Sequence, residues 1–88
     1  MGKKWMKREP LSKKYIDEVP NIPGVYEILD SRFNTIYAGK SNLRDRLMGG
    51  EFKEARYFRV RFMPPKAAEK VENKIIRKKN PKYNLRDW

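Results

Sequence analysis

The stretch Gly24-Val25-Tyr26-Glu27-Ile28-Leu29-Asp30-Ser31-Arg32-Phe33-Asn34-Thr35-Ile36-Tyr37-Ala38-Gly39 decides how this chain folds. Val25 to Leu29 is β-branched and aromatic, the composition of a strand. Asp30 to Asn34 is a polar connection of hairpin length, and Thr35 to Ala38 reads as the returning strand. Asn21-Ile22-Pro23-Gly24 ahead of it is turn chemistry. Gly39 behind it permits an unusual backbone geometry or a close approach by a ligand. A two-stranded hairpin alone is not stable in water, so the rest of the chain must cover it.

Downstream, Asn42 is placed to cap a short helix carrying Leu43 and Leu47 at i, i+4, which Gly49-Gly50 ends. From Arg56 to Met63 the residues alternate. Phe58, Val60 and Phe62 point one way; Tyr57, Arg59 and Arg61 point the other. Pro64-Pro65 breaks this strand, and the longest helix runs from about Lys66 to Lys79, stopped by Asn80-Pro81. Upstream, residues 1–10 are basic and expected to be loose, and Leu11 to Val19 offers a short helix begun by Ser12 and ended by Pro20. The expected fold is α+β, in the order β-β-α-β-α: a small, mostly antiparallel three-stranded sheet flanked by helices. Residues 1–20 read as a basic lead and 21–88 as the domain.

Eighty-eight residues allow one domain with a modest core. There is no cysteine and no histidine, so thiolate and imidazole metal sites are excluded, as is the usual general base. Any metal must be a hard cation held by oxygen. Lys and Arg number 22 against 11 acids, a net charge of +11 that favours polyanionic partners. No apolar run is long enough to span a membrane, and the first ten residues lack a secretory signal's apolar stretch. The chain reads as soluble and cytoplasmic.

One charge in the late helix is out of place. At 100° per residue from Ala68, Val71 falls at about −60°, Ile75 at about −20°, Glu72 at about +40° and Ile76 at about +80°. Glu72 therefore sits within the apolar stripe. A carboxylate there is costly to desolvate unless it is paired or holds a cation. A salt bridge to one of the chain's many cations satisfies it as well as a metal ion does. Glu69, at about +100°, is a surface charge at the stripe's rim.

Gly24-Val25-Tyr26, Tyr37-Ala38-Gly39, Lys40, Leu43 with Arg46, the late Glu72 and Pro81-Lys82-Tyr83-Asn84 form an ordered set. Together they resemble the GIY-YIG nuclease superfamily, and within it the N-terminal nuclease domain of UvrC, the incision subunit of bacterial nucleotide-excision repair. The resemblance runs from Pro23 to Asn84. It implies a DNA endonuclease hydrolysing phosphodiester bonds on one divalent ion, Mg²⁺ or Mn²⁺, to leave 5′-phosphate and 3′-hydroxyl ends. By the same resemblance Tyr26 and Tyr37 are the motif tyrosines, Lys40 the basic residue after the second triplet and Arg46 the catalytic arginine. Glu72 is then the metal-binding glutamate, and Gly24, Gly39 and Asn84 are structural. Two departures stand out: the segment between Gly39 and the Leu43–Arg46 unit is one residue short, and Gly50 occupies a position often aromatic or histidine.

The chemistry suits these residue types independently. A lone carboxylate with substrate phosphate matches Mg²⁺, which keeps several waters. Arg46 would neutralise charge on the equatorial oxygens. With no histidine, Tyr26 is the candidate base, its ionised form favoured near the ion and Lys40, and Tyr37 would orient the water or the phosphate. Lys40, Arg44, Tyr57, Arg59 and Arg61 are candidate nucleic-acid contacts.

Plainer readings attach to each residue. Two tyrosines on adjacent strands form a core pair by default. Arg46 and Lys40 alone are solvated charges, and the Tyr57–Arg59–Arg61 face either tracks a phosphate backbone or is simply wet. Lys74, Arg77, Lys78 and Lys79 read as a solvated helix face that adds nonspecific attraction to DNA. Behind the nuclease reading stand a nucleic-acid-binding module of the same fold with impaired catalysis, and a basic protein-interaction subunit. A separate targeting protein would fit a chain so short, and RNA is an alternative substrate to DNA.

Overall fold

A computed structural model describes residues 7–44, 47 and 52–84. Arg46, Gly49, Gly50 and residues 1–6 of the basic lead lie outside them. The elements are β1 (Glu9–Pro10), α1 (Lys13–Ile16), β2 (Pro23–Leu29), β3 (Thr35–Asn42), β4 (Tyr57–Phe62), α2 (Pro65–Lys79) and a 3₁₀ turn (Lys82–Asn84). They build one four-stranded antiparallel sheet, in the order β1-β4-β2-β3. The sequence led to three strands. The fourth is the two-residue β1, inside the lead, which pairs Glu9 with Phe58 and Pro10 with Tyr57. A proline at the outer edge of a sheet has no ladder hydrogen bond to lose, so Pro10 is tolerated there.

The hairpin forms as read, with longer strands. β2 starts two residues early, so Pro23 and Gly24 are strand rather than turn, and β3 runs on to Asn42. Asp30 sets the connection by accepting the backbone N–H groups of Arg32 and Asn34, both at 2.9 Å. These bonds hold its carboxyl below the ordinary value. Phe33 takes a positive φ of 66° to complete the reversal. Asn42 closes β3, and Leu43 and Arg44 are already helical.

The central strand β2 is covered on both faces. On one, Tyr26, Ile28, Phe58 and Val60 join Leu43, Leu47 and the lead's Ile16 and Val19 in the larger core. On the other, Val25, Ala38 and Met63 pack under Ala68 and Ile75 of α2. Each large apolar side chain buried this way contributes about 1.5–3 kcal/mol. α2 begins at Pro65 with no side-chain cap and ends at Asn80, whose left-handed φ of 46° sends the chain into the buried Pro81.

β3 is an outer strand, and its open edge is covered by one side chain. Ala38 N–H donates to Asn84 Oδ1 at 2.7 Å, and Asn84 Nδ2 donates to Ala38 O at 3.0 Å. The amide acts as a one-residue strand against the edge.

Candidate active site

Tyr26 and Gly39 face each other across the β2–β3 ladder. A Cβ at Gly39 would lie 2.5 Å from the Tyr26 ring, so glycine is required for the ring to lie flat over β3. The close approach expected at Gly39 is thus made by the protein's own tyrosine. Tyr26 is buried, and its ring centroid stands 6.0 Å from that of half-buried Tyr37. Gly24 is equally constrained, since a Cβ there would meet Arg61 O at 2.5 Å and the Leu43 side chain at 2.9 Å.

The tyrosines belong to the larger core and Glu72 to the helix over the opposite face. The β3 segment Gly39–Lys40 connects them: Gly39 underlies Tyr26, and Lys40 lies within electrostatic range of Glu72. Glu72 is half-buried and makes no ion pair or hydrogen bond among the described residues. Burial pushes its carboxyl above the ordinary value; Lys40 opposes that rise and Glu69 adds to it. A cleft of about 330 Å³ opens at Lys40 and Glu69, between the start of α2 and the β2–β3 pair, and Glu72 follows one turn along α2 from Glu69. Pro23, Gly24, Lys40 and Asn42 line one side, with Lys66 and Glu69 opposite.

This donor set fits a hard divalent cation. One desolvated carboxylate lacking a counterion, with a second nearby, offers oxygen ligands only. Among the described residues no three acidic side chains converge, so an ion here would depend on water and substrate for its other ligands.

Other expected contacts lie elsewhere. Tyr57 packs on Phe33, centroids 4.8 Å apart, and Arg59 Nε donates to Glu27 at 3.0 Å. Arg61 Nε is buried without a hydrogen-bond partner among the described residues. Arg44, itself helical, is half-buried.

Two features were missed in the sequence. Glu27 is 0 % exposed, and its carboxylate accepts from Arg59, from Lys79 at 3.2 Å and from the Thr35 hydroxyl at 3.0 Å. An acid inside a five-residue apolar strand was the available signal. The second is an aromatic row. Tyr37 packs on Phe52 at 5.0 Å and Phe52 stacks on Tyr83 at 4.4 Å, while Glu54 accepts from the Tyr83 hydroxyl and from Lys82. Those two bonds hold the Glu54 carboxyl down at about 2.

The architecture matches solved structures. The GIY-YIG N-terminal endonuclease domain of UvrC from Thermotoga maritima, bound to its catalytic divalent cation magnesium, superposes with a TM-score of 0.71 at 29 % identity. The match covers 83 % of this chain and 94 % of that one. A tyrosine-to-phenylalanine variant of the same domain, bound to its catalytic divalent cation, gives 0.70 at 30 % identity, covering 84 % and 94 %. The chain belongs to the GIY-YIG nuclease superfamily. An asparagine-to-alanine variant of that UvrC domain matches equally, with a TM-score of 0.70 at 29 % identity over 84 % of this chain and 94 % of the other. Neither the family models nor the curated proteins compared with the chain match it. Among the described residues no helix is long and apolar enough to cross a membrane.

Proposed function

We propose that this protein is a metal-dependent endonuclease that hydrolyses DNA phosphodiester bonds to 5′-phosphate and 3′-hydroxyl ends. The observation carrying the reading is Glu72: partly desolvated, without an ion pair among the described residues, and within electrostatic range of Lys40, which lines a cleft in a GIY-YIG fold. A bound Mg²⁺ or Mn²⁺ would supply Lewis acidity at the phosphoryl oxygen and favour departure of the 3′-oxygen.

The chain's own groups do the rest. Glu72 would hold the cation, and Lys40, within electrostatic range of it, draws the phosphate in. Tyr26 is the base that takes a proton from the attacking water, its ring fixed by Gly39 and the core behind it. Tyr37, held between Tyr26 and Phe52, orients the water or the phosphate. Arg46 neutralises charge on the equatorial oxygens. The new bond is water oxygen to phosphorus; the bond from phosphorus to the 3′-oxygen breaks, and that oxygen is protonated from solvent. Lys40 and Arg44 are the proposed phosphate contacts. The Tyr57–Arg59–Arg61 face has less support as a DNA track, because Glu27 engages Arg59 and Phe33 engages Tyr57.

The test is supercoiled plasmid incubated with purified protein and Mg²⁺ or Mn²⁺. Nicking by the wild type, lost in Glu72→Ala, supports the reading; an untouched plasmid, or a variant that cuts as well, ends it. The second reading is a nucleic-acid-binding module without turnover, motivated by the shortened segment after Gly39 and by Gly50. Salt-sensitive DNA binding with no cleavage under any divalent ion would select it. Targeting to particular sites would then fall to a separate partner protein.

A further inference from the structure

The outer face of α2 is built as a strip of unneutralised cations. Lys66, Lys70, Lys74 and Lys78 recur every four residues and Arg77 lies among them, all exposed. At 100° per residue from Ala68 they fall between about 160° and 280°, opposite the buried Ala68–Ile75 face. They extend over roughly 18 Å of helix axis. Lys70, Lys74, Arg77 and Lys78 rim a shallow depression with Asn73 on its wall.

The simple explanations cover only part of this. The helix dipole favours Arg77, Lys78 and Lys79 in the last turn but opposes Lys66 and Lys70 near the first. Like charges at i, i+4 destabilise a helix, and Lys66–Lys70, Lys70–Lys74 and Lys74–Lys78 are three such pairs. Four cations off the strip do have acid partners: Lys13 with Asp17, Arg59 and Lys79 with Glu27, Lys82 with Glu54. None of the strip's five cations has an ion pair among the described residues.

We propose that this strip is a second docking surface for duplex DNA, taking its phosphate backbone without regard to sequence. Glu72, at about 40° on the same helix, faces the sheet, so the strip engages DNA flanking the cut or a second segment, not the scissile phosphate. The occupant follows from charge: a regular row of long flexible cations without acids matches a regular row of phosphates. The inference rests on DNA being the substrate.

The test removes cleavage from the readout. In a Glu72→Ala background, Lys70→Gln/Lys74→Gln/Lys78→Gln is compared with Lys7→Gln/Lys14→Gln/Lys53→Gln, which removes equal charge elsewhere. Circular dichroism checks that both fold. Binding to a 30-base-pair duplex is followed as a function of salt. The strip variant should lower the slope of log affinity against log salt by roughly 2–3, at about 0.9 for each phosphate no longer neutralised. The control should lower it far less. Equal slopes for the two variants, or an unchanged slope in the strip variant, overturn the proposal. So does a strip variant that keeps its DNA affinity but loses binding to phosphatidylserine–phosphatidylcholine vesicles. A plasmid left uncut by wild type while the slope difference persists would refute the nuclease reading and leave the strip standing.

Discussion

Two glutamates occupy the layer between the sheet and α2, and the protein treats them oppositely. Glu27 is fully buried, yet two cations and a hydroxyl satisfy it. Glu72 is half-buried and, with no ion pair among the described residues, has the field of Lys40 to offset its desolvation. Lys79, which reaches Glu27, is seven residues from Glu72 and on the same side of the helix. The chain thus spent its nearby cations on the acid of the sheet and left the acid of the helix without one. An acid supplied with counterions fastens structure; an acid desolvated without them can take a cation from outside.

The sharpest way to break this contrast is Glu72→Ala. Removal of the sole carboxylate proposed for the metal should reduce cleavage by at least 10²–10³-fold, as loss of one key charge stabiliser does. Plasmid nicking measures the loss, and a thermal melt should show a fold as stable as wild type. A variant that unfolds instead would make Glu72 a second Glu27.

Glu27→Ala should do the reverse. Breaking a buried pair from one side costs about 3–5 kcal/mol. The low end applies, because Arg59 and Lys79 keep 24 % and 41 % of their side-chain surface in water. Urea unfolding should show a loss of about 3 kcal/mol. Molecules that remain folded in the cold should keep their cleavage rate.

The sequence revealed Glu72 and hid Glu27 for one physical reason. Helical periodicity assigns each residue an angle, so a charge at about +40° within an apolar stripe declares itself. Strand alternation declares misplaced charges only if one knows that both faces are covered, and that knowledge is tertiary. The same limit applies to β1, since two residues beside a proline carry no pattern until β4 pairs with them. Strand ends were misjudged at Pro23-Gly24 because turn chemistry was weighed without the pairing of Gly24 to Ser41 and Phe62. β4 and α2 were legible because their own periodicity is strong, and the hairpin because β-branched and aromatic runs flank a polar connection of hairpin length. Tyr37 was legible only as a motif; that Phe52 and Tyr83 would brace it was not, as those contacts span 15 and 31 residues of chain.

Asn84→Ala sharpens the contrast from the other side of β3, the strand that presents Lys40 to Glu72. The variant deletes both hydrogen bonds to Ala38, a loss of about 1–2 kcal/mol. Hydrogen exchange should show faster exchange at the Ala38 amide, while Glu27 on the inner strand stays protected. An unaltered Ala38 amide would mean the edge needs no cover.

The smallest effect is the most discriminating, because the two acids predict opposite signs. In chelator, Glu72→Gln should stabilise the protein at neutral pH by about 1 kcal/mol or less, since it removes a desolvated charge from a half-open site. Burial raises the folded carboxyl above its ordinary 4.5, so between these values the folded chain holds a proton that the unfolded chain has released. Glu72's contribution is therefore complete below about pH 4.5 and lost as pH rises through the folded value. The advantage of the glutamine variant should accordingly vanish as pH falls toward 4.5. Glu54 runs the other way in both proteins: held down at about 2, it contributes above 4.5 and is lost on acidification, so it cancels in the difference. Glu27→Gln under the same conditions should be destabilised at neutral pH, because Arg59 and Lys79 lose their acid. Denaturant midpoints for the three proteins across this range give the signs directly. If Glu72→Gln proves less stable than wild type throughout, Glu72 has a counterion in the folded chain and no need of a metal to supply one.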